Sequence, residues 1–108
     1  MRDLRQIAEQ PDAYQILDVR EPYEWEAGRI EGAIHIPLAQ ILAGAEKGRL
    51  DPSKPVAVVC RTGNRSELAA TMLQARGFDA VNMEGGMEEW ARLGLAFTAA
   101  DGGPGRVA

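Results

Sequence analysis

The chain of 108 residues is poor in the residues that build disulfides, metal centres and nucleic-acid surfaces, with one cysteine, one histidine and few aromatics. A single cysteine excludes an internal disulfide and suits a reducing compartment. The only histidine, His35, lies far in sequence from Cys60, and no second cysteine exists, so no metal site is expected. Lys and Arg together number 12 against 16 Asp and Glu, a net charge of −4. That balance provides no positive field for nucleic acid, and no basic patch is interleaved with aromatic residues. No apolar run approaches the ~20 residues of a helical membrane span, so no membrane partner is expected. Met1-Arg2-Asp3-Leu4-Arg5 lacks the apolar core of a signal peptide, and a cytoplasmic location is the expectation.

What is present is one domain's worth of alternating strand and helix patterns. Leu4 to Glu9 reads as a short amphipathic helix and Tyr14 to Val19 as a strand. Pro22 opens a helical turn that ends at Gly28. Ala33 to Ile36 reads as a second strand, and Leu38 to about Lys47 as a helix. Val56 to Val59 is the most apolar strand, which places it at the centre of a parallel sheet. Ser66 is expected to cap a helix from Glu67 to Arg76, with Leu68, Met72 and Leu73 on one face and Gly77 at the exit. Ala80 to Met83 is a further strand, Gly85-Gly86 a turn, and Met87 to Leu93 a last helix. The fold class expected is α/β, three layers with a mainly parallel central sheet flanked by helices. Residues 1–97 form the domain, and 98–108, rich in glycine, are expected to be a flexible tail.

The informative stretch is Cys60-Arg61-Thr62-Gly63-Asn64-Arg65-Ser66, directly after the central strand. A tight turn from strand to helix points backbone N–H groups inward, and the following helix dipole adds positive potential. Such a cradle favours an anion and depresses the pKa of a cysteine at its edge. Arg61 and Arg65 add permanent charge that binds oxyanions in a bidentate way, while Gly63 and Asn64 suit unusual backbone angles. An isolated cysteine is by default a small core residue, but a core cysteine does not require these neighbours. Cys60 is therefore the candidate nucleophile, with Arg61, Thr62, Gly63, Asn64, Arg65 and Ser66 as candidate substrate-binding residues.

Other positions carry plainer readings. Asp18, at a strand end, is free to pair with either Arg65 or Arg20 and so to orient the site, either as a structural pair or in contact with substrate, and Arg20 and Glu21 read as local ion-pairing groups. His35 reads as a packed strand residue, Trp25 and Trp90 as core anchors, and Glu88-Glu89 as a solvated helix face.

Four ordered motifs now support a family resemblance. Leu17-Asp18-Val19-Arg20-Glu21, the stretch Gly28 to Pro37, the loop Cys60 to Ser66 and Gly85-Gly86-Met87-Glu88-Glu89-Trp90 together resemble a single-domain rhodanese, over about Leu4 to Leu95. Arg29 stands where that family often has histidine, and His35 where it often has asparagine. The resemblance implies a sulfurtransferase. A Cys60 thiolate takes the outer sulfur of a small anionic donor such as thiosulfate and passes it, as a persulfide, to cyanide in the assay or to a thiol or protein acceptor in the cell. No cofactor is implied. Rhodanese-related dual-specificity phosphatases, the nearest alternative, have one more residue in this loop, whereas only four residues separate Cys60 from Arg65 here. A tighter ring suits a sulfur atom over a phosphoryl or arsenate group. A non-catalytic module that uses the loop only to dock an anion or partner is the third reading.

Overall fold

The computed structural model of the chain describes residues 4–108. Within them, β1 (Gln15–Asp18), β2 (Ile34–His35), β3 (Val56–Val59) and β4 (Ala80–Asn82) form one all-parallel sheet in the order β2-β1-β3-β4. Between and around them run α1 (Leu4–Glu9), α2 (Pro22–Ala27), α3 (Leu38–Leu42), α4 (Asn64–Ala75) and α5 (Gly86–Arg92). None of the described helices is long and apolar enough to cross a membrane.

The unbroken apolar run of β3 follows from burial on both faces, since alternate side chains must meet two different cores. Val56 and Val58 face a cluster with Ile41, Ala69, Ala70 and Leu73, from α3 and α4. Ala57 and Val59 face another with Leu4, Ile7, Met87 and Trp90, from α1 and α5. The sheet is thus sandwiched, the three-layer α/β arrangement that the sequence implies. Each of these fully buried valines contributes ~1.5–3 kcal/mol relative to exposure.

The chain steps from β1 outward to β2, then crosses back to place β3 on the other side of β1. This reversal puts the carboxyl ends of β1 and β3 at the switch point of the sheet, the usual binding position in such sheets. Asp18 lies opposite Val59 in register, and the Val19 N–H donates to the Val59 carbonyl at 3.0 Å, so the segments after both strands emerge at one level.

Several local expectations differ from the observed structure. The helix after Pro37 stops at Leu42, and residues 43–49 continue as turns in which Gly44 and Gly48 adopt φ of 88° and 78°. Left-handed glycines end the helical hydrogen-bond run there. α4 begins at Asn64, and its N-cap is Gly63, with φ 113°, so Ser66 lies inside the helix and is not its cap. The buried face of α4 is Ser66, Ala69, Ala70 and Leu73, while Leu68 is 47% exposed. Ser66, Ala69, Ala70 and Leu73 recur at i, i+3, i+4 and i+7 and so form the stripe that is buried, and Leu68 lies off it.

The glycine-rich segment 98–108 folds back on the domain. Thr98 exchanges backbone hydrogen bonds with Arg29, the Ala100 N–H donates to Glu26, and the Arg106 N–H donates to Ala27. A Cβ on Gly28 would lie 2.6 Å from the Arg106 carbonyl oxygen, so the close approach of these strands of chain depends on that glycine.

Candidate active site

Cys60 follows β3 directly, and its side chain lies beneath the loop that leads into α4, at 1% exposure. The Gly63 N–H donates to its Sγ at 3.0 Å. Gly63 reaches this position because its φ of 113° is open to glycine and strained for other residues. The Ser66 hydroxyl stands 3.2 Å from Sγ and 2.5 Å from Asn82 Oδ1. Asn82, at the end of β4, also donates from Nδ2 to the Gly63 carbonyl at 3.1 Å, which holds its oxygen toward Ser66. Burial opposes ionisation of the thiol. The Ser66 hydroxyl and the Ser66, Gly63 and Thr62 amides outweigh it, so the Cys60 pKa lies below the ordinary thiol value.

The loop is also held from outside by α5. The Met87 and Glu88 N–H groups donate to the carbonyls of Cys60 and Arg61 at 2.8 and 3.0 Å. These carbonyls are thereby turned outward, which leaves the loop's amides free to face the sulfur. Gly86, with φ 57°, permits the approach.

Both loop arginines are paired with glutamates. Arg65 Nη1 and Nη2 donate to Glu24 Oε1 and Oε2 at 2.7 and 2.9 Å, and Glu24 is 2% exposed. Burial alone would raise the Glu24 pKa. The hydrogen bonds from Arg65 and the Glu21 amide, with the charges of Arg65 and Arg20, hold it below the usual carboxylate value. Arg65 is pushed further upward by the same pair. Arg61, by contrast, meets Glu88 at 3.1 Å with both side chains 50% exposed.

Asp18 pairs with Arg20 and not with Arg65. Arg20 Nε and Nη2 grip the Asp18 carboxylate at 3.0, 3.1 and 2.7 Å, and Nη2 also donates to the Gly28 carbonyl at 2.6 Å. This buried pair ties the end of β1 to the exit of α2. His35 Nε2 donates to the Arg20 carbonyl at 2.7 Å and stacks on Trp25 at 4.7 Å, and Arg29 lies over the same indole at 4.8 Å. Trp25 is thus a half-buried plate between Arg29 and His35, not a core anchor, whereas Trp90 is buried as expected. The two positions that depart from the resembled family's habit meet on one side chain.

Glu24, Glu88 and Asn82 were not legible as parts of the site from sequence. Glu24 carries one local signal, a capping box with Glu21 behind Pro22 at the start of α2. Its contact with Arg65 spans 41 residues and has no sequence signature.

If Arg65 is replaced by alanine, Glu24 remains buried without its cation, and stability is expected to fall. A fully buried broken pair costs ~3–5 kcal/mol, and with Arg65 a third exposed about 2 kcal/mol is expected, or about 10 °C in Tm. In the parent protein Glu24 has a lowered folded pKa. Its contribution is present above the ordinary carboxylate range and is lost as pH falls through the lowered value. In Arg65→Ala the Arg65 hydrogen bonds and charge are lost while burial and the weaker help of the Glu21 amide and Arg20 remain, so the Glu24 pKa rises relative to the parent and the deficit should shrink as pH is lowered from about 7 to about 4. Thermal melts of the two proteins across that range check this, and a deficit independent of pH would remove Glu24 as its source.

The chain belongs to the rhodanese-like domain family, whose match covers residues 1–93. It is 36% identical over 87 residues to YrkF of Bacillus subtilis, named as a sulfur carrier protein, covering 80% of this chain and 46% of that one. It is 35% identical over 92 residues to MoeZ of Mycobacterium tuberculosis, named as an adenylyltransferase/sulfurtransferase, covering 84% of this chain and 24% of that one. The chain therefore spans about half and about a quarter of the length of these relatives. Among solved structures it is similar to a rhodanese-related protein from Thermoplasma volcanium, with a TM-score of 0.84 and 34% identity over 90% of this chain and 95% of that one.

Proposed function

We propose that the chain is a sulfurtransferase that carries sulfane sulfur as a persulfide on Cys60. The observation that supports this most is the donor set around one sulfur, the Gly63 amide at 3.0 Å and the Ser66 hydroxyl at 3.2 Å, which shares its one proton with Asn82 Oδ1, together with a lowered thiol pKa. The thiolate is the attacking form.

With thiosulfate as donor, the Cys60 thiolate attacks the outer sulfur. The new S–S bond forms as the bond to the sulfonate sulfur breaks, and sulfite leaves with the electron pair. The persulfide anion stays under the loop, where the amides that favoured the thiolate favour it in turn. Burial of Cys60 shields that sulfur from water and requires the loop to yield as a donor enters. In the second step the outer sulfur is attacked by cyanide, which leaves as thiocyanate, or by a thiol of a small molecule or protein. The Cys60 thiolate is regenerated. Charge and atoms balance without a cofactor, and ping-pong kinetics follow.

The test is the intact mass of the protein after brief thiosulfate treatment and then cyanide. Gain of one sulfur atom, mapped to the Cys60 peptide and removed as thiocyanate, is the expected result. No adduct with thiosulfate, mercaptopyruvate or an organic persulfide would overturn the reading.

A further inference from the structure

The two loop arginines differ in what holds them. Arg65 is gripped at both nitrogens by a glutamate that is 2% exposed, so giving up that pair would strand a buried carboxylate. Arg61 is held by a single contact from Nε to Glu88 Oε2 at 3.1 Å, with half of each side chain in solvent. An exposed pair of this kind is worth little and exchanges readily for another anion. Arg61 directly follows Cys60 in the chain, and its carbonyl accepts from the Glu88 amide at 3.0 Å. The arginine and its carboxylate are thus kept face to face by the backbone that shapes the loop.

Building on the persulfide reading of Cys60, we infer that Glu88 is a specificity-determining residue. Its carboxylate occupies, on Arg61, the place taken by the distal oxyanion of a donor such as thiosulfate. Arg61 is the guanidinium available to a donor, Arg65 is committed to Glu24, and Glu88 competes with the donor for Arg61. The site then discriminates by where the donor carries its charge. Donors with an anionic group beyond the transferred sulfur must displace Glu88, and donors whose far end is neutral need not.

The experiment compares the intact protein with Glu88→Gln, using thiosulfate, which carries a sulfonate beyond its outer sulfur, and an aryl thiosulfonate, whose sulfonyl end is uncharged. Glu88→Gln is expected to lower the KM for thiosulfate about two- to fivefold, the range set by an exposed ion pair, with the change falling on KM and not kcat. The KM for the aryl thiosulfonate should move much less. In an Arg61→Ala background the same substitution should have no effect on either donor. An unchanged thiosulfate KM, an equal fall for both donors, or a fall that persists without Arg61 would each overturn the inference. Mass measurement of the persulfide on every variant separates this from a failure of the underlying reading. Persulfide formed with unaltered KM removes only the role of Glu88, and no persulfide on any variant removes both.

Discussion

Cys60→Ser is expected to take up no sulfur from any donor while remaining folded. The chain has no other cysteine, so every covalently bound sulfane sulfur has to reside on this side chain. A serine hydroxyl is not ionised at neutral pH. The donors that lower a thiol's pKa, the Gly63 amide and the Ser66 hydroxyl, cannot bring it within reach. The same groups give the new hydroxyl hydrogen-bond partners in the buried site, so stability should change by no more than ~1 kcal/mol. Intact mass after donor treatment and a thermal melt give both readouts together. Sulfur uptake by the serine variant would show that the adduct lies elsewhere and would remove Cys60 from its role.

Gly86→Ala is expected to damage both fold and chemistry. A Cβ at this position would lie 2.4 Å from the Cys60 carbonyl oxygen and 2.6 Å from that of Arg61. Those are backbone atoms, unable to rotate away, and φ of 57° is itself unfavourable for alanine. Relief requires α5 to move off the loop, which breaks the bonds from the Met87 and Glu88 amides and lets the Cys60 and Arg61 carbonyls turn. The combined cost should be about 3–5 kcal/mol, or about 15 °C or more in Tm, with persulfide formation slowed in the fraction that stays folded. Gly77→Ala is the control, because Gly77 also has a left-handed φ, 93°, but nothing within 4 Å of the added methyl group. It should cost only ~1 kcal/mol. Equal losses in the two variants would show that backbone conformation, and not the contact between α5 and the loop, is what Gly86 provides.

These two glycines illustrate how legibility divides in this chain. Gly77 is readable as a helix exit because its role depends on its neighbours in sequence. Gly85-Gly86 reads as a turn, which is correct as far as it goes, but the reason for Gly86 is the distant Cys60 carbonyl. Ser66 shows the same division. As a serine near a helix start it reads as a cap, yet the helix begins at Asn64, and the hydroxyl turns inward to Cys60 and Asn82. Trp25 reads as core by its type alone, and it is half-buried because Arg29 and His35 cover its faces.

Local pattern in the amino-acid order was enough to specify the layout. Alternating strand and helix signals, the doubly buried run Val56 to Val59 and the loop from Cys60 to Ser66 point to an α/β sheet with a cysteine loop at its carboxyl edge. Hydrophobic periodicity and turn chemistry act over a few residues, so they leave a readable trace. Which distant charges meet was settled by the assembled fold alone. Arg65 took a glutamate from α2, 41 residues away, and Arg61 took one from α5, 27 residues away, whereas the Asp18–Arg20 pair is local. Ion pairs and hydrogen bonds depend on separations of about 3 Å between segments far apart in the chain. Those separations exist only once the sheet order and the crossovers have brought the segments together.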